Sequence, residues 1–254
     1  MAQSSKDAAR VALVTGGGSG IGQATALRLA EDGAKVLVIG RRIDKLQETV
    51  DRVAGAGGDA ASLALDATDV DAGERAVDAC LDWAGRLDIL INAAGIFPTT
   101  AFAELSDREW NEALAINLAA PMRFSRAAVP ELKKHKGAIV NVSSTNALMG
   151  DAYSICSAYA AAKAGLLGLT RQIAAELAPD VRVNAVLPGP VATPMLEGWN
   201  EDPADMEAWL ERYVPLRRVA KPEDIASVIA FLAGDGANYI TGAAIPVDGG
   251  MTMV

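Results

Sequence analysis

The most informative part of the sequence is an apolar run that leads directly into a glycine-rich turn. It reads Val11-Ala12-Leu13-Val14-Thr15-Gly16-Gly17-Gly18-Ser19-Gly20-Ile21-Gly22. The apolar run predicts a buried strand, and the residues after Gly20 predict a helix that begins near Ile21. Glycines let a backbone approach a pyrophosphate, and the free N–H groups of a helix N-terminus attract it. The spacing G-x-x-x-G-x-G is not the commonest dinucleotide motif, so a flexible turn without a ligand is the alternative.

Short apolar runs alternate with longer helical segments to the end of the chain. Strands are predicted at 11–15, 35–39, 60–65, 88–92, 138–142, 181–187 and 243–247, and helices at 20–32, 43–56, 70–84, 107–134, 157–177 and 222–233. Continuous apolar strands indicate burial on both faces, as in a parallel sheet. Pro121 and Pro130 should kink or divide the fourth helix. The sequence therefore predicts one doubly wound α/β domain of the Rossmann type over 11–254, with helices on both faces, after a polar N-terminal tail at 1–10.

Composition excludes several classes of function. The 254 residues include 51% hydrophobic and 22% charged residues, without a run of 18 apolar residues that would predict a membrane span. The net charge of −9 argues against nucleic acid and anionic membranes as partners. A small-molecule substrate is therefore the expected partner.

Histidine and cysteine are scarce. The single histidine, His135, lies in a lysine-rich run, and the two cysteines, Cys80 and Cys156, form no C-x-x-C pair. We therefore expect no metal site and no disulfide framework, and a cytoplasmic location. Proton chemistry must come from carboxylates, tyrosine or lysine.

The second predicted strand ends in Val38-Ile39-Gly40-Arg41-Arg42, where a dinucleotide fold contacts the adenosine ribose. An acidic residue there would accept a hydrogen bond from NAD, whereas arginine would meet the 2′-phosphate of NADP. The arginine pair favours NADP, although Asp44 leaves NAD open and Ser19 adds no positive charge to the turn. An exposed arginine pair in a turn is the alternative.

Two further pairs of residues have side chains that could transfer a proton or bind a carbonyl. Tyr159 and Lys163 are four residues apart, on one face of a predicted helix. A nearby ammonium can lower the phenol pKa from about 10 by one to three units. Ser143 and Ser144 end a predicted strand, where a hydroxyl could bind a substrate carbonyl. Each pattern alone is also typical of an ordinary helix face or strand end.

Taken in order, these motifs resemble those of short-chain dehydrogenases/reductases of about 250 residues that act on alcohols and ketones. The resemblance covers Val11 to the C-terminus and rests on Thr15-Gly16-x-x-x-Gly20-Ile21-Gly22, Asn92-Ala93-Ala94-Gly95, Asn117, Ser144, Tyr159-x-x-x-Lys163, Pro188-Gly189, Thr241-Gly242 and Asp248-Gly249-Gly250. It implies that Tyr159 is the general acid/base, that Lys163 lowers its pKa and holds the nicotinamide ribose, and that Ser144 orients the carbonyl. Asn117 would anchor a water that relays protons from Lys163.

The resemblance also implies a set of cofactor-binding residues. Asp66 would lie by the adenine, Asn92 near the ribose, and the segment 188–193 over the nicotinamide. The full set is Gly16, Gly18, Ser19, Gly20, Ile21, Gly22, Arg41, Arg42, Asp66, Ala67, Asn92, Ala93, Gly95, Tyr159, Lys163, Pro188, Gly189, Val191 and Thr193. The spacing from Ser144 to Tyr159 is slightly longer than usual for the family, which predicts an enlarged loop at 147–157 and leaves Ser143 as the alternative to Ser144.

The segment 194–216 is expected to be a lid over the substrate. Met206, Trp209, Leu210 and Tyr213 follow the spacing of one apolar helix face, which could equally pack on the body of the protein. Together with Phe97, Met149, Tyr153 and Ile155, and with Trp199 in the lid, these residues predict a mostly apolar pocket. A hydrophobic ketone or alcohol is the expected substrate.

The small residues Ala160, Ala164 and Gly168 permit close helix–helix approach, and the family resemblance implies a homotetramer through this helix. The predicted function is an NAD(P)-dependent oxidoreductase that interconverts a secondary alcohol and a ketone. The alternative is a 3-oxoacyl-[acyl-carrier-protein] reductase, with Arg123 and Arg126 as docking candidates for an acidic carrier. A nucleotide-sensing relative without catalysis would have a broken Tyr/Lys/Ser/Asn set, and this set is intact.

Overall fold

The computed structural model describes residues 9–150, 155–196 and 203–253. Its seven strands form one parallel sheet in the order β3-β2-β1-β4-β5-β6-β7. The strands are β1 Val11–Thr15, β2 Lys35–Gly40, β3 Asp59–Ala64, β4 Ile89–Asn92, β5 Ala138–Val142, β6 Arg182–Pro188 and β7 Ala244–Val247. This arrangement confirms the doubly wound α/β fold and all seven predicted strands.

Helices cover both faces of the sheet. They are α1 Gly20–Glu31, α2 Ile43–Gly55, α3 Ala72–Ala84, α4 Asp107–Leu114, α5 Ala120–His135, α6 Ser157–Leu177, α7 Pro203–Tyr213 and α8 Pro222–Ala233. Successive residues of a strand point to opposite faces of the sheet and pack in two separate hydrophobic clusters. Val14 packs with residues of α1, α2 and α8 on one face. Leu13 packs with residues of α3, α5 and α6 on the other. The outermost strands β3 and β7 are only half-buried, so burial on both faces holds for the inner strands and not for these two.

The helical segment predicted at 107–134 is divided, because two helices and a π-helical segment, Ala115–Ala119, occupy this region. The N–H of Ala120 donates to the carbonyl of Ala115, five residues back. Pro121 lacks an N–H and therefore cannot bond the carbonyl of Asn117 in the α-helical pattern. The proline thus divides the helix as expected, but at its N-terminal side, and Pro130 lies inside the continuous helix α5.

The connections reverse direction between β1 and β4, which places a crevice at the carboxyl ends of these two strands. The hydroxyl of Thr15 at the end of β1 accepts hydrogen bonds from the backbone N–H groups of Ala93 and Ala94, each at 3.0 Å. The glycine turn and the segment after β4 are therefore joined directly at the crevice.

Two glycines of the turn are required by packing. A Cβ on Gly22 would lie 2.3 Å from the carbonyl oxygen of Gly16, and a Cβ on Gly17 would lie 2.6 Å from the Cβ of Val38 in β2. The first turn of α1 therefore lies directly against the turn that leaves β1. These glycines set the distance between strand and helix, in addition to any contact with a ligand.

We predict that Gly22→Ala lowers the free energy of unfolding by at least about 2 kcal/mol, because the rigid backbone at Gly16 must move. Gly55→Ala is the matched control: it is also helical, nothing lies near its Cβ position, and it should change stability by less than about 1 kcal/mol. Urea unfolding measures both. Equal effects of the two substitutions would contradict the packing role of Gly22.

Candidate active site

A cavity of about 510 Å³ opens at the carboxyl ends of the strands, a size usual for small-molecule sites. Its walls come from the start of α1, the segments after β4, β5 and β6, and the helices α6 and α7. The predicted site residues along its wall are Ile21, Ala93, Gly95, Ser144, Tyr159, Lys163, Pro188, Gly189, Val191 and Thr193. Motifs separated by more than 170 positions in the sequence thus meet in one place.

Helix α6 carries Tyr159 and Lys163 into this cavity. Both side chains are almost completely buried, and the Lys163 Nζ lies 5.6 Å from the centre of the Tyr159 ring. The edge of the Phe97 ring meets Tyr159 at a centroid distance of 4.8 Å. The Lys163 Nζ donates to the carbonyl of Val142 at 2.8 Å, so the end of β5 satisfies the buried ammonium.

Burial controls the ionisation of both groups. Loss of hydration raises the pKa of Tyr159 to about 12, while a hydrogen bond from Ser144 acts in the opposite direction. Burial lowers the pKa of Lys163 to about 8. The net direction for Tyr159 is opposite to the lowering that the sequence analysis predicted from Lys163, because the sequence pattern does not reveal how completely the phenol is buried.

The two consecutive serines have different surroundings. The hydroxyl of Ser143 donates to the main-chain carbonyl of Lys163 at 3.0 Å and so ties β5 to α6. The hydroxyl of Ser144 instead bonds to side chains at the cavity, Tyr159 and Asn146. This difference favours Ser144 over Ser143 as the residue that meets a substrate.

Asn117 and Lys163 approach each other around Gly95. A Cβ on Gly95 would lie 2.9 Å from the Asn117 Oδ1 and 3.6 Å from the Lys163 Nζ, so only glycine leaves room for both. The Asn117 side chain accepts from the N–H of Ile96 and donates to its carbonyl. Because Pro121 provides no N–H, the main-chain carbonyl of Asn117 cannot accept the usual α-helical bond from the residue four positions later.

The glycine turn fits a phosphate group. Within the described chain, the backbone N–H groups of Ser19, Gly20 and Ile21 donate no hydrogen bond, and they lie at the N-terminus of α1. Across the turn, Thr193 lies 2.9 Å from the Cβ position of Gly20, which has a φ of +52°. The structure thus brings the glycine turn and the predicted nicotinamide segment 188–193 together, and the donor set suits a dinucleotide.

Comparison with known proteins agrees with this geometry. A family model described as Enoyl-(Acyl carrier protein) reductase matches residues 16–252. A 3-oxoacyl-[acyl-carrier-protein] reductase of Thermotoga maritima is 38% identical over 96% of this chain and 98% of that protein. A cis-4-hydroxycyclohexanecarboxylate dehydrogenase of Sinomonas cyclohexanicum is 42% identical over 97% and 98%. The chain belongs to the short-chain dehydrogenase/reductase family. It is accordingly an NAD(P)-dependent oxidoreductase that acts on CH–OH groups.

A solved structure gives the same fold. The crystal structure of a putative 2-deoxy-D-gluconate 3-dehydrogenase from Agrobacterium tumefaciens, with bound NADP, has a TM-score of 0.88 and 37% identity and covers 98% of each chain. In the chain described here, no helix of the described residues is both long and apolar enough to pass through a membrane.

The arginine pair Arg41 and Arg42 directly follows the end of β2. Arg41 and Arg42 are exposed, and neither guanidinium group forms a hydrogen bond or ion pair with another described residue. Asp66 accepts hydrogen bonds from the N–H and hydroxyl of Thr68, which lower its pKa, and the charge of Arg41 lowers it further. Asp44 is exposed in the first turn of α2.

Asn92 has a role that the sequence analysis missed. Its buried side chain donates to Asn141 Oδ1 at 2.8 Å and to Ser125, and Asn141 donates in turn to Thr170 of α6. The side chain therefore links β4, β5 and α6 inside the protein, away from the cavity wall. Asn92 and Asn141 are paired in the register of β4 and β5, which the sequence pattern does not reveal.

The apolar face of α7 both packs on the body and reaches the cavity. Trp209, Leu210 and Val214 form a cluster with Met251, to which Met149, Met206 and Tyr213 are added. Trp209 and Met251 also line the cavity, as do Phe97 and Ile155. Met251, near the C-terminus, was not predicted, because nothing in its local sequence indicates a site. Tyr153 and Trp199 lie outside the described residues, as does part of the expected loop at 147–157.

The remaining expectations concern metal and carrier binding. Among the described residues, no group of three histidine, cysteine or acidic residues is placed to hold a metal ion. Arg123, a docking candidate, donates to the carbonyl of Thr68 at 3.2 Å, so its guanidinium is engaged within the chain. Arg126 lies 3.9 Å from Glu74 at the surface.

Proposed function

We propose that the chain interconverts a secondary alcohol and a ketone with Tyr159 as the general acid and base. The observation that carries this proposal is the convergence of Tyr159, Ser144, Lys163 and Asn117 at one cavity beside a glycine turn with free backbone donors. NAD(P) would supply or accept the hydride when bound. The protein would bind the carbonyl and move the proton.

In the reductive direction, the hydroxyls of Ser144 and Tyr159 would both donate to the substrate carbonyl oxygen. Tyr159 would then transfer its proton to the oxygen as the alcohol forms, which suits a phenol that burial keeps protonated. Lys163, positively charged below a pH of about 8, would stabilise the resulting phenolate and hold the ribose. Asn117, whose side chain approaches Lys163 at Gly95, would hold the water through which Tyr159 is reprotonated.

The cofactor residues expected from the sequence form the rest of the proposal. The turn 16–22 would hold the pyrophosphate on the N–H groups of α1, and Asp66 and Ala67 would border the adenine. Ala93 and Gly95 would lie along the ribose, with Asn92 supporting them from inside the sheet. Pro188, Gly189, Val191 and Thr193 would face the nicotinamide.

NADP is the coenzyme that we favour. Arg41 and Arg42 are exposed guanidiniums without partners among the described residues, at the strand end where a 2′-phosphate would lie. Asp44 is the group that would support NAD instead.

We further propose that 11–254 is a single catalytic domain and that 194–216 is a substrate lid. Trp209 supports the lid, because it lines the cavity while it packs on Met251. A mostly apolar substrate fits the rings of Trp209 and Phe97. The absence of paired cysteines among the described residues agrees with the cytoplasmic location expected from the sequence.

A homotetramer is the assembly that we propose. Ala164 and Gly168 of α6 are exposed in the single chain, and no atom lies within 4 Å of the Cβ position of Gly168. Packing within the chain therefore does not account for these two small residues. Sedimentation equilibrium of the purified protein should give four times the chain mass, and a monomeric mass would contradict the proposal.

The second candidate is a 3-oxoacyl-[acyl-carrier-protein] reductase, because two relatives of 38% identity carry that name. The bond from Arg123 to Thr68 and the net charge of −9 disfavour docking of an acidic carrier at the predicted arginines. A small ketone is therefore the first choice.

We predict that Tyr159→Phe lowers turnover at least about 1,000-fold while coenzyme still binds, because only the proton donor is lost. The measurement is NADPH and NADH oxidation with a panel of ketones that includes an acetoacetyl thioester, with coenzyme binding followed by fluorescence. Substantial turnover by the variant would remove Tyr159 from the acid role. Activity of the wild type on the thioester alone would select the second candidate.

We predict that Arg41→Asp lowers kcat/KM for NADPH relative to NADH by about 10- to 100-fold, because a charge-assisted bond to phosphate is lost and a repulsion is added. Arg108→Asp is the control, since Arg108 is an exposed arginine on α4. An unchanged ratio for Arg41→Asp would show that this turn does not contact the 2′-phosphate.

A further inference from the structure

Asn146 lies at the cavity in direct contact with Ser144 and has no part in the function proposed above. The N–H of Asn146 donates to the Ser144 Oγ at 3.2 Å. The Ser144 hydroxyl donates to the Asn146 Oδ1 at 3.1 Å. Both residues line the cavity together with Tyr159. The bond from the main chain would form with any residue at this position, whereas the bond to the carboxamide is specific to Asn146.

The Ser144 hydroxyl has one proton for two acceptors. A hydroxyl donates one hydrogen bond and accepts two, and the N–H of Asn146 already fills one acceptor position. The proton can go to the Asn146 carboxamide oxygen or to the oxygen of Tyr159, which lines the same cavity and whose pKa a hydrogen bond from Ser144 lowers. When Asn146 holds it, Tyr159 must donate its own proton to Ser144 and is therefore a neutral phenol. When Tyr159 is ionised, the Ser144 proton must turn towards the phenolate, and Asn146 loses its bond.

We propose that Asn146 is a positioning residue of this reaction: its carboxamide oxygen competes with Tyr159 for the single Ser144 proton and keeps Tyr159 protonated until a carbonyl arrives. The proposal rests on the proposed function, because Asn146 acts only through Ser144 and Tyr159. On arrival of a ketone, Ser144 and Tyr159 both turn their protons to its oxygen. In the reaction, the Tyr159 O–H bond breaks, the alcohol O–H bond forms, the coenzyme hydride forms the new C–H bond, and Ser144 keeps its proton.

The other groups that face Tyr159 are independent of Asn146. Lys163, on the same helix, has its Nζ 5.6 Å from the ring centre, and Cys156 one turn earlier would raise the pKa of the phenol if it were ionised. From the other elements, the described neighbours are the uncharged Phe97 ring and the Ser144 hydroxyl. Asn146 contributes a dipole and no charge, so its replacement by an apolar residue leaves every neighbouring charge in place.

The test compares Asn146→Leu with Asn146→Asp in the intact enzyme with saturating coenzyme. Alcohol oxidation needs the phenolate, so kcat/KM rises with pH through the pKa of Tyr159. Asn146→Leu frees the Ser144 proton for the phenolate and should move this limb of the profile to lower pH by about half to one unit, the size expected for one hydrogen bond. Asn146→Asp strengthens the competing acceptor and should move the limb to higher pH.

Controls separate this coupling from a general effect on structure or charge. Asn111→Leu, an exposed asparagine on α4, should leave the profile unchanged. In a Ser144→Ala background, the phenolate absorbance of Tyr159, obtained by subtraction of Tyr159→Phe spectra, should titrate at the same pH with and without Asn146→Leu. A shift that persists without Ser144 overturns the proposal, as does a shift of the Leu and Asp variants in the same direction.

Failure of this proposal is distinct from failure of the proposed function. If Tyr159→Phe abolishes turnover and both Asn146 variants keep the wild-type profile, the function stands and the role of Asn146 is refuted. Asn146→Asp is nearly the same size as the native side chain, so it remains informative if Asn146→Leu does not fold.

Discussion

The active site depends on the attachment of helix α6 to the end of strand β5. The ammonium group of Lys163 is buried. Its burial costs free energy unless a hydrogen-bond partner replaces the lost water. The carbonyl of Val142 is that partner, and the Ser143 hydroxyl binds the carbonyl of Lys163 in return. Farther along α6, Thr170 accepts from Asn141 of the same strand. These bonds fix the rotation of α6, and the rotation places Tyr159 one turn earlier in the cavity.

Burial changes the acid–base properties of Tyr159 and Lys163. A phenol that is removed from water is kept protonated, and a lysine in the same position loses part of its affinity for a proton. The two shifts place the pKa of Tyr159 above that of Lys163. Ordinarily the pKa of tyrosine lies slightly below that of lysine. A protein of this kind holds an acid ready for a carbonyl oxygen. In the mechanism that we propose, the hydrogen bonds around Ser144 would set how readily this phenol ionises.

At the glycine turn and in the segment after β4, the constraint is the close approach of main-chain segments. The contacts at Gly16 and Gly22 are with main-chain atoms and too close for a side chain, and each lies where two segments of the Rossmann fold meet. The Thr15 hydroxyl joins two of these segments through the N–H groups of Ala93 and Ala94. The motif glycines of the family therefore build the crevice before they contact a ligand.

Sequence patterns alone were enough to predict the succession of strands and helices along the chain, the glycine turn, the Tyr159–Lys163 pair and the class of fold. These features are local, because apolar periodicity, glycine clusters and residues four apart on a helix need no distant partner. Only the tertiary structure decided the division of the helix at 115–119, the burial that sets the pKa of Tyr159, the internal role of Asn92 and the contribution of Met251 to the cavity. Each of these depends on contacts between segments far apart in the chain, and a linear pattern contains neither the distances between such segments nor the water that their packing excludes.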